Sequence, residues 1–215
     1  MIAASRGTLE ATVRQQHITK IDKQIFNQME LFHVSCNEYK VGDICFVKEE
    51  TPYFKAKKAT GQEWVDLFLN CNKQEDAPFR EFTLYAFDFI GNCSAFFGSR
   101  KCESGYPFYY KVEMENPVIA PMCLTDLITK EGKSSTKLNQ ISEEYWTPTL
   151  RWNFYEYLSN EMKILEILKP PTTIQTSAGK FKYGNDIELS KTFLNNIKTK
   201  IKCGFNPQLL PSFFL

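Results

Sequence analysis

Between Phe108 and Met114 the side chains alternate, with Phe108, Tyr110, Val112 and Met114 on one side and Tyr109, Lys111 and Glu113 on the other. A period of two is the mark of a strand that turns one face to a core. Asn116-Pro117 closes it, because proline cannot donate to a ladder. Such a strand needs neighbours for its backbone groups, and five other segments qualify. Leu31–Ser35 sets Phe32 and Val34 against His33 and Ser35, and Val41-Gly42-Asp43 turns into Ile44-Cys45-Phe46-Val47. Phe82–Phe87 alternates as well. Phe154–Leu158 and Lys163–Leu168 read as a hairpin joined by Ser159-Asn160-Glu161, and Pro170-Pro171 ends the unit.

Helical signals are interspersed among these strands. Thr60-Gly61-Gln62-Glu63 matches a capping box, followed by Trp64, Leu67, Phe68 and Cys71 at helical spacing. Asp88 is placed to cap a helix whose Phe89, Cys93, Phe96 and Phe97 share a face. Thr8 to Met29 reads as a polar helix carrying Leu9, Val13, Ile18, Ile21 and Ile25. Near the end, Ile187, Leu194, Ile197 and Ile201 mark another, stopped at Gly204, and Glu131–Asn139 reads as a charged loop. Strands and helices mix without steady βαβ alternation, so the expected class is α+β. The organisation is an N-terminal helical extension (1–28), a core domain (29–169) and a C-terminal helical extension (170–215).

The composition narrows the function. Of 215 residues, 43% are hydrophobic and 14% aromatic, enough for one sizeable core. Twenty-six basic residues against 25 acidic ones give a net charge of +1, which provides no electrostatic footprint for nucleic acid or an anionic membrane. Seven cysteines without a Cys-x-x-Cys pair, beside two histidines, indicate neither structural zinc nor a disulfide framework, and free thiols in a reducing cytosol are expected. No apolar run reaches the ~18 residues of a membrane span, and Met1-Ile2-Ala3-Ala4-Ser5-Arg6 is not a signal peptide. The expected location is cytoplasmic, or a host or target cell reached by export through a dedicated secretion system. Neither Gly-x-Gly-x-x-Gly nor a Walker loop occurs.

Four short patterns follow in order: Phe32-His33-Val34-Ser35, Pro78-Phe79-Arg80 through Tyr85-Ala86-Phe87-Asp88, Tyr109 through Pro117, and Glu144-Tyr145-Trp146 leading to Trp152 and Glu156-Tyr157-Leu158. Their order resembles the ADP-ribosyltransferase superfamily in its His-Tyr-Glu branch, and most closely an uncharacterised bacterial family within it, over about residues 31 to 168. The resemblance implies a split β-sheet core, mixed or antiparallel, with flanking helices. It implies NAD as co-substrate, no metal, and transfer of ADP-ribose to a protein or other acceptor, as in an effector or toxin. NAD hydrolysis, RNA 2′-phosphotransfer and a catalytically inactive interaction module of the same fold are the alternatives.

Carried onto this chain, His33 would hydrogen-bond the NAD ribose and Ser35 would support the carboxamide end. Tyr85 would stack on nicotinamide, and Arg80 would pair with the pyrophosphate through its planar fork. Glu156 would be the catalytic carboxylate, facing positive charge that develops at the anomeric carbon. Glu166 is the reserve. A cleft joining His33 to Tyr85 and Glu156 is required if all serve one ligand. Each residue also has a plainer role: Tyr85 as core, Arg80 as a surface cation, His33 as a satisfied strand residue. Glu156 stands out, because it shares a strand face with Phe154 and Leu158, and buried carboxylates are seldom left unpaired. Cys36 points away from His33 on an extended chain, which argues against a Cys-His nucleophile.

Overall fold

The computed structural model describes residues 29–98, 101–171 and 186–197. The chain divides into two units, Met1–Glu30 and Leu31–Leu215. The helix expected from Thr8 to Met29 falls almost wholly outside the described residues, as do Ile201 and Gly204.

The second unit is α+β. Its strands are β1 (Leu31–Ser35), β2 (Ile44–Phe46), β3 (Leu84–Ala86), β4 (Phe108–Glu113), β5 (Val118–Pro121), β6 (Tyr155–Ser159) and β7 (Glu161–Leu168). Its described helices are α1 (Pro52–Ala59), α2 (Trp64–Cys71), α3 (Ile90–Phe97), α4 (Cys123–Glu131), α5 (Leu138–Trp146) and α6 (residues 186–197). The strands form two antiparallel sheets, ordered β1-β4-β7-β2 and β3-β6-β5. A single bridge between Phe32 and Phe87, with both N–H···O bonds at 2.8 Å, ties one sheet to the other. Among the described residues no helix is long and apolar enough to cross a membrane.

The hairpin expected from Phe154 to Leu168 does not form. Only Asn160 separates β6 from β7, too short a link to fold one strand back on the other. The chain instead crosses between sheets there: β6 pairs with β3 and β5, whereas β7 pairs with β4 and β2. The expected capping box is also corrected. Thr60 closes α1 rather than opening α2, its hydroxyl donating to the Lys57 carbonyl at 3.0 Å. The helix it closes begins at Thr51-Pro52, where the Thr51 side chain accepts from the Phe54 N–H and proline takes a position that needs no donor. Asp88 does not cap α3 either; Phe89 holds that position, and Asp88 accepts instead from the Asn92 side chain.

The face of α2 differs from the expected one. Val65, Asp66, Phe68 and Leu69 are buried, while Leu67 and Cys71 are exposed. The helix is rotated to carry a carboxylate inward. One core joins Val34, Tyr85, Tyr109 and Leu158 of the strands, with Phe87 just after β3, to residues of α2–α6, including Leu69, Cys93, Ile128 and Ile141. The expected free thiols are corrected in part, since Cys36 and Cys102 form a disulfide across 66 residues. Strand pairing accounts for it: Ser35 lies opposite Phe108, so the residue after β1 comes beside the loop ahead of β4.

Candidate functional site

Arg80 opens a short 3-10 turn (Arg80–Phe82), with its own N–H donating to Asn70 Oδ1 at 2.9 Å. That anchor sends its side chain inward, where it is 0% exposed. Nε donates to Asp66 Oδ1 at 2.5 Å, and Nη1 donates to Glu156 Oε1 at 2.9 Å and contacts the Tyr145 hydroxyl. Tyr145 in turn donates to the same Glu156 oxygen at 2.5 Å. Lys57 reaches Asp66 Oδ2 at 2.8 Å from α1. The Tyr85 and Tyr145 rings flank the guanidinium at 5.4 and 5.2 Å, and the Tyr85 hydroxyl donates to the Arg80 carbonyl. Two cations thus meet two carboxylates, with only Lys57 reaching partly toward the surface, which explains the inward turn of Asp66.

The electrostatics follow from that packing. Burial alone would raise the Asp66 carboxyl, but Arg80 and then Lys57 outweigh it and hold the group below the usual range. Burial pushes Glu156 up, with Arg80 only partly opposing it. Tyr85 is raised far above an ordinary phenol by burial, so it is a neutral donor at any physiological pH. Arg80 Nη2 has no hydrogen-bond partner among the described residues.

Three of the expected site residues therefore meet: Tyr85, Arg80 and Glu156. His33 and Ser35 do not join them. Phe87 pairs with Phe32 through the bridge, Tyr85 lies two residues from Phe87 opposite Leu158, and Glu156 lies two residues from Leu158. Strand alternation places all of these on one face and His33, next to Phe32, on the other. The burial agrees, because Val34, Tyr85, Phe87 and Leu158 share the main core with no member from the His33 face of β1. The single cleft expected between His33 and Glu156 is not what this pairing makes. His33 Nδ1 lies 2.7 Å from the Tyr85 carbonyl. A carbonyl only accepts, so that nitrogen carries the proton and the ring pins β1 to β3 where the sheets diverge. Ser35 Oγ accepts from the Asn37 N–H at 3.0 Å and shapes the turn after β1.

Glu144-Tyr145-Trp146 is buried and hydrogen-bonded within the protein. Glu144 accepts from the N–H groups of Thr149 and Leu150, the Thr149 hydroxyl and the Trp152 indole, and Trp146 donates to the Leu69 carbonyl. Asp186, the first described residue of α6, accepts from the N–H groups of Asn153 and Phe154 and so sets the entry to β6. Glu166 is exposed on β7, away from the cluster. Asp66, Lys57 and Tyr145 were not assigned from sequence; the only local signal was an acidic residue between two core positions of α2. Beside the cluster, α1 and α4 bound an open pocket of about 370 Å³ that Lys57, Tyr53, Thr125 and Asp126 help to line. Among the described residues no three His, Cys, Asp or Glu side chains group to hold a metal. The chain matches no protein-family model and no curated protein.

Proposed function

We propose that the protein works by binding, as an α+β interaction module, and not through NAD chemistry at Glu156. One observation supports this reading above others: the Glu156 carboxylate is 1% exposed and its Oε1 already accepts from Arg80 and Tyr145. A carboxylate stabilises an oxocarbenium ion only if its charge faces the reacting carbon. With a guanidinium at 2.9 Å, most of that charge is cancelled inside the protein. Incubation with labelled NAD and a lysate tests the reading. Neither nicotinamide release nor label transfer above a buffer control is expected, and NAD leaves the melting temperature unchanged. Turnover that Glu156→Gln abolishes would overturn it.

A second reading keeps one observation on its side, namely that Tyr85, Arg80 and Glu156 converge from separate segments. In it the chain transfers ADP-ribose from NAD to a protein acceptor, or hydrolyses NAD. The Arg80–Glu156 pair would then part on binding, freeing Arg80 for the pyrophosphate and Glu156 for the ribose. The same incubation decides between the two.

A further inference from the structure

The pocket between α1 and α4 is rich in acceptors, beside the polar groups of Lys57, Tyr53 and Gln62 that also line it. Three threonines line it, and each donates its hydroxyl proton to backbone: Thr60 to the Lys57 carbonyl at 3.0 Å, Thr125 to Met122 at 2.8 Å, and Thr129 to Thr125 at 3.0 Å. A hydroxyl committed in this way has only lone pairs left to offer. Asp126, on α4 between two of them, adds a carboxylate that makes no hydrogen bond or ion pair with any described residue. Lys57 also lines the pocket, but its ammonium is bound to Asp66 at 2.8 Å and sits 4.7 Å over the Tyr53 ring. In the buried cluster Lys57 and Arg80 balance Asp66 and Glu156. The charge left without a close partner at the pocket is that of Asp126.

We propose that this pocket binds an organic cation with N–H donors, a primary ammonium or a guanidinium, with Asp126 as its counter-ion and the threonine oxygens as acceptors. Tyr53 and Met122 supply apolar wall for the carbon chain. An anion would meet the Asp126 carboxylate, and the Lys57 ammonium that could offset it is already paired with Asp66. Partial burial raises the Asp126 carboxyl, with Lys130 and Lys57 pulling the other way, so a cation at this position relieves a desolvation cost that the protein carries alone. At about 370 Å³ the space suits a small ligand or one side chain. The inference deepens the reading of the protein as a binding module and rests on it.

Calorimetry on the full chain with agmatine tests this, with inorganic phosphate as the opposite charge. Agmatine is expected to bind and phosphate not to. Asp126→Asn should weaken agmatine at least about tenfold, the worth of one charge-assisted hydrogen bond, whereas Asp126→Glu retains binding. Because Asp126 bonds no described residue, the Asn variant should keep its fold, and circular dichroism verifies that. Equal affinity in the Asn variant, no binding at millimolar agmatine, or binding of phosphate instead overturns the proposal. A blocked arginine peptide that competes with agmatine shows that the pocket admits a protein side chain; one that does not compete assigns the pocket to free amines. Either result keeps the cation site. Nicotinamide release, followed in the same samples, fails the module reading separately from the pocket.

Discussion

Arg80 decides the interior. Taking one ion out of water costs several kcal/mol, and the cluster tolerates four only because each cation faces a carboxylate at hydrogen-bonding distance. Removing one member is therefore worse than never having had the set. Arg80→Met should lower unfolding stability by about 3–5 kcal/mol, because it strands Asp66 and Glu156 without their shared partner. Glu166→Gln, on the exposed side of β7, should stay within about 0.5 kcal/mol. Urea unfolding of both variants measures the difference, and equal midpoints would sink the structural role given to Arg80. Half of this cluster was legible in the sequence. Glu156 announced itself as a carboxylate on an apolar strand face that must have a partner. Which cation would meet it was not legible, since Arg80 and Glu156 stand 76 positions apart and no local pattern links them. Asp66 was hidden for the same reason: its inward turn reverses the face that spacing alone suggests for α2.

Elements were read better than their partners. β1 was legible to the residue, and β2, β4, β6 and β7 nearly so, because period-two alternation reports a strand whatever lies beside it. It does not report which strand lies beside it, and that is how a sheet crossing at Asn160 read as a hairpin. The helices α4 and α5 carry helical spacing in Leu124, Leu127 and Ile128 and in Leu138, Ile141 and Tyr145, yet lie between stronger strand signals. The Cys36–Cys102 bond belongs to the same class, since a count of cysteines is blind to the pairing that β1 and β4 impose. A link across 66 residues restricts the unfolded chain considerably. Cys36→Ser should lower stability by about 2–4 kcal/mol under oxidising conditions and cost little once the parent is reduced. Thiol titration of the denatured parent before and after reductant should differ by the two sulfurs of this bond. An unchanged titre would remove the tether from the description of β1.

At the scale of the molecule, carboxyls of opposite character govern the dependence of stability on pH. Asp66 is held below the usual range, so its contribution is complete above the ordinary aspartate pKa and is lost as pH falls through the lowered folded value. Glu156 and Asp126 are raised, chiefly by burial. Their charged forms are less favourable folded than unfolded, so stability declines as pH rises from the ordinary carboxylate range through their raised values. Together these terms predict a maximum within the ordinary carboxylate range, about pH 4, with a fall on either side. Asp126→Asn separates the two limbs. It removes one raised carboxyl and leaves the hydrogen bonds of the Arg80 cluster in place, so the variant should exceed the parent at neutral pH. The advantage should vanish in acid, where Asp126 is protonated whether folded or not, and the Asp66 limb should persist. Urea midpoints across the pH range measure both. A charge retained at a cost to the fold is what a binding group imposes. An Asn variant less stable than the parent at neutral pH would instead make Asp126 a structural residue and take the counter-ion from the pocket.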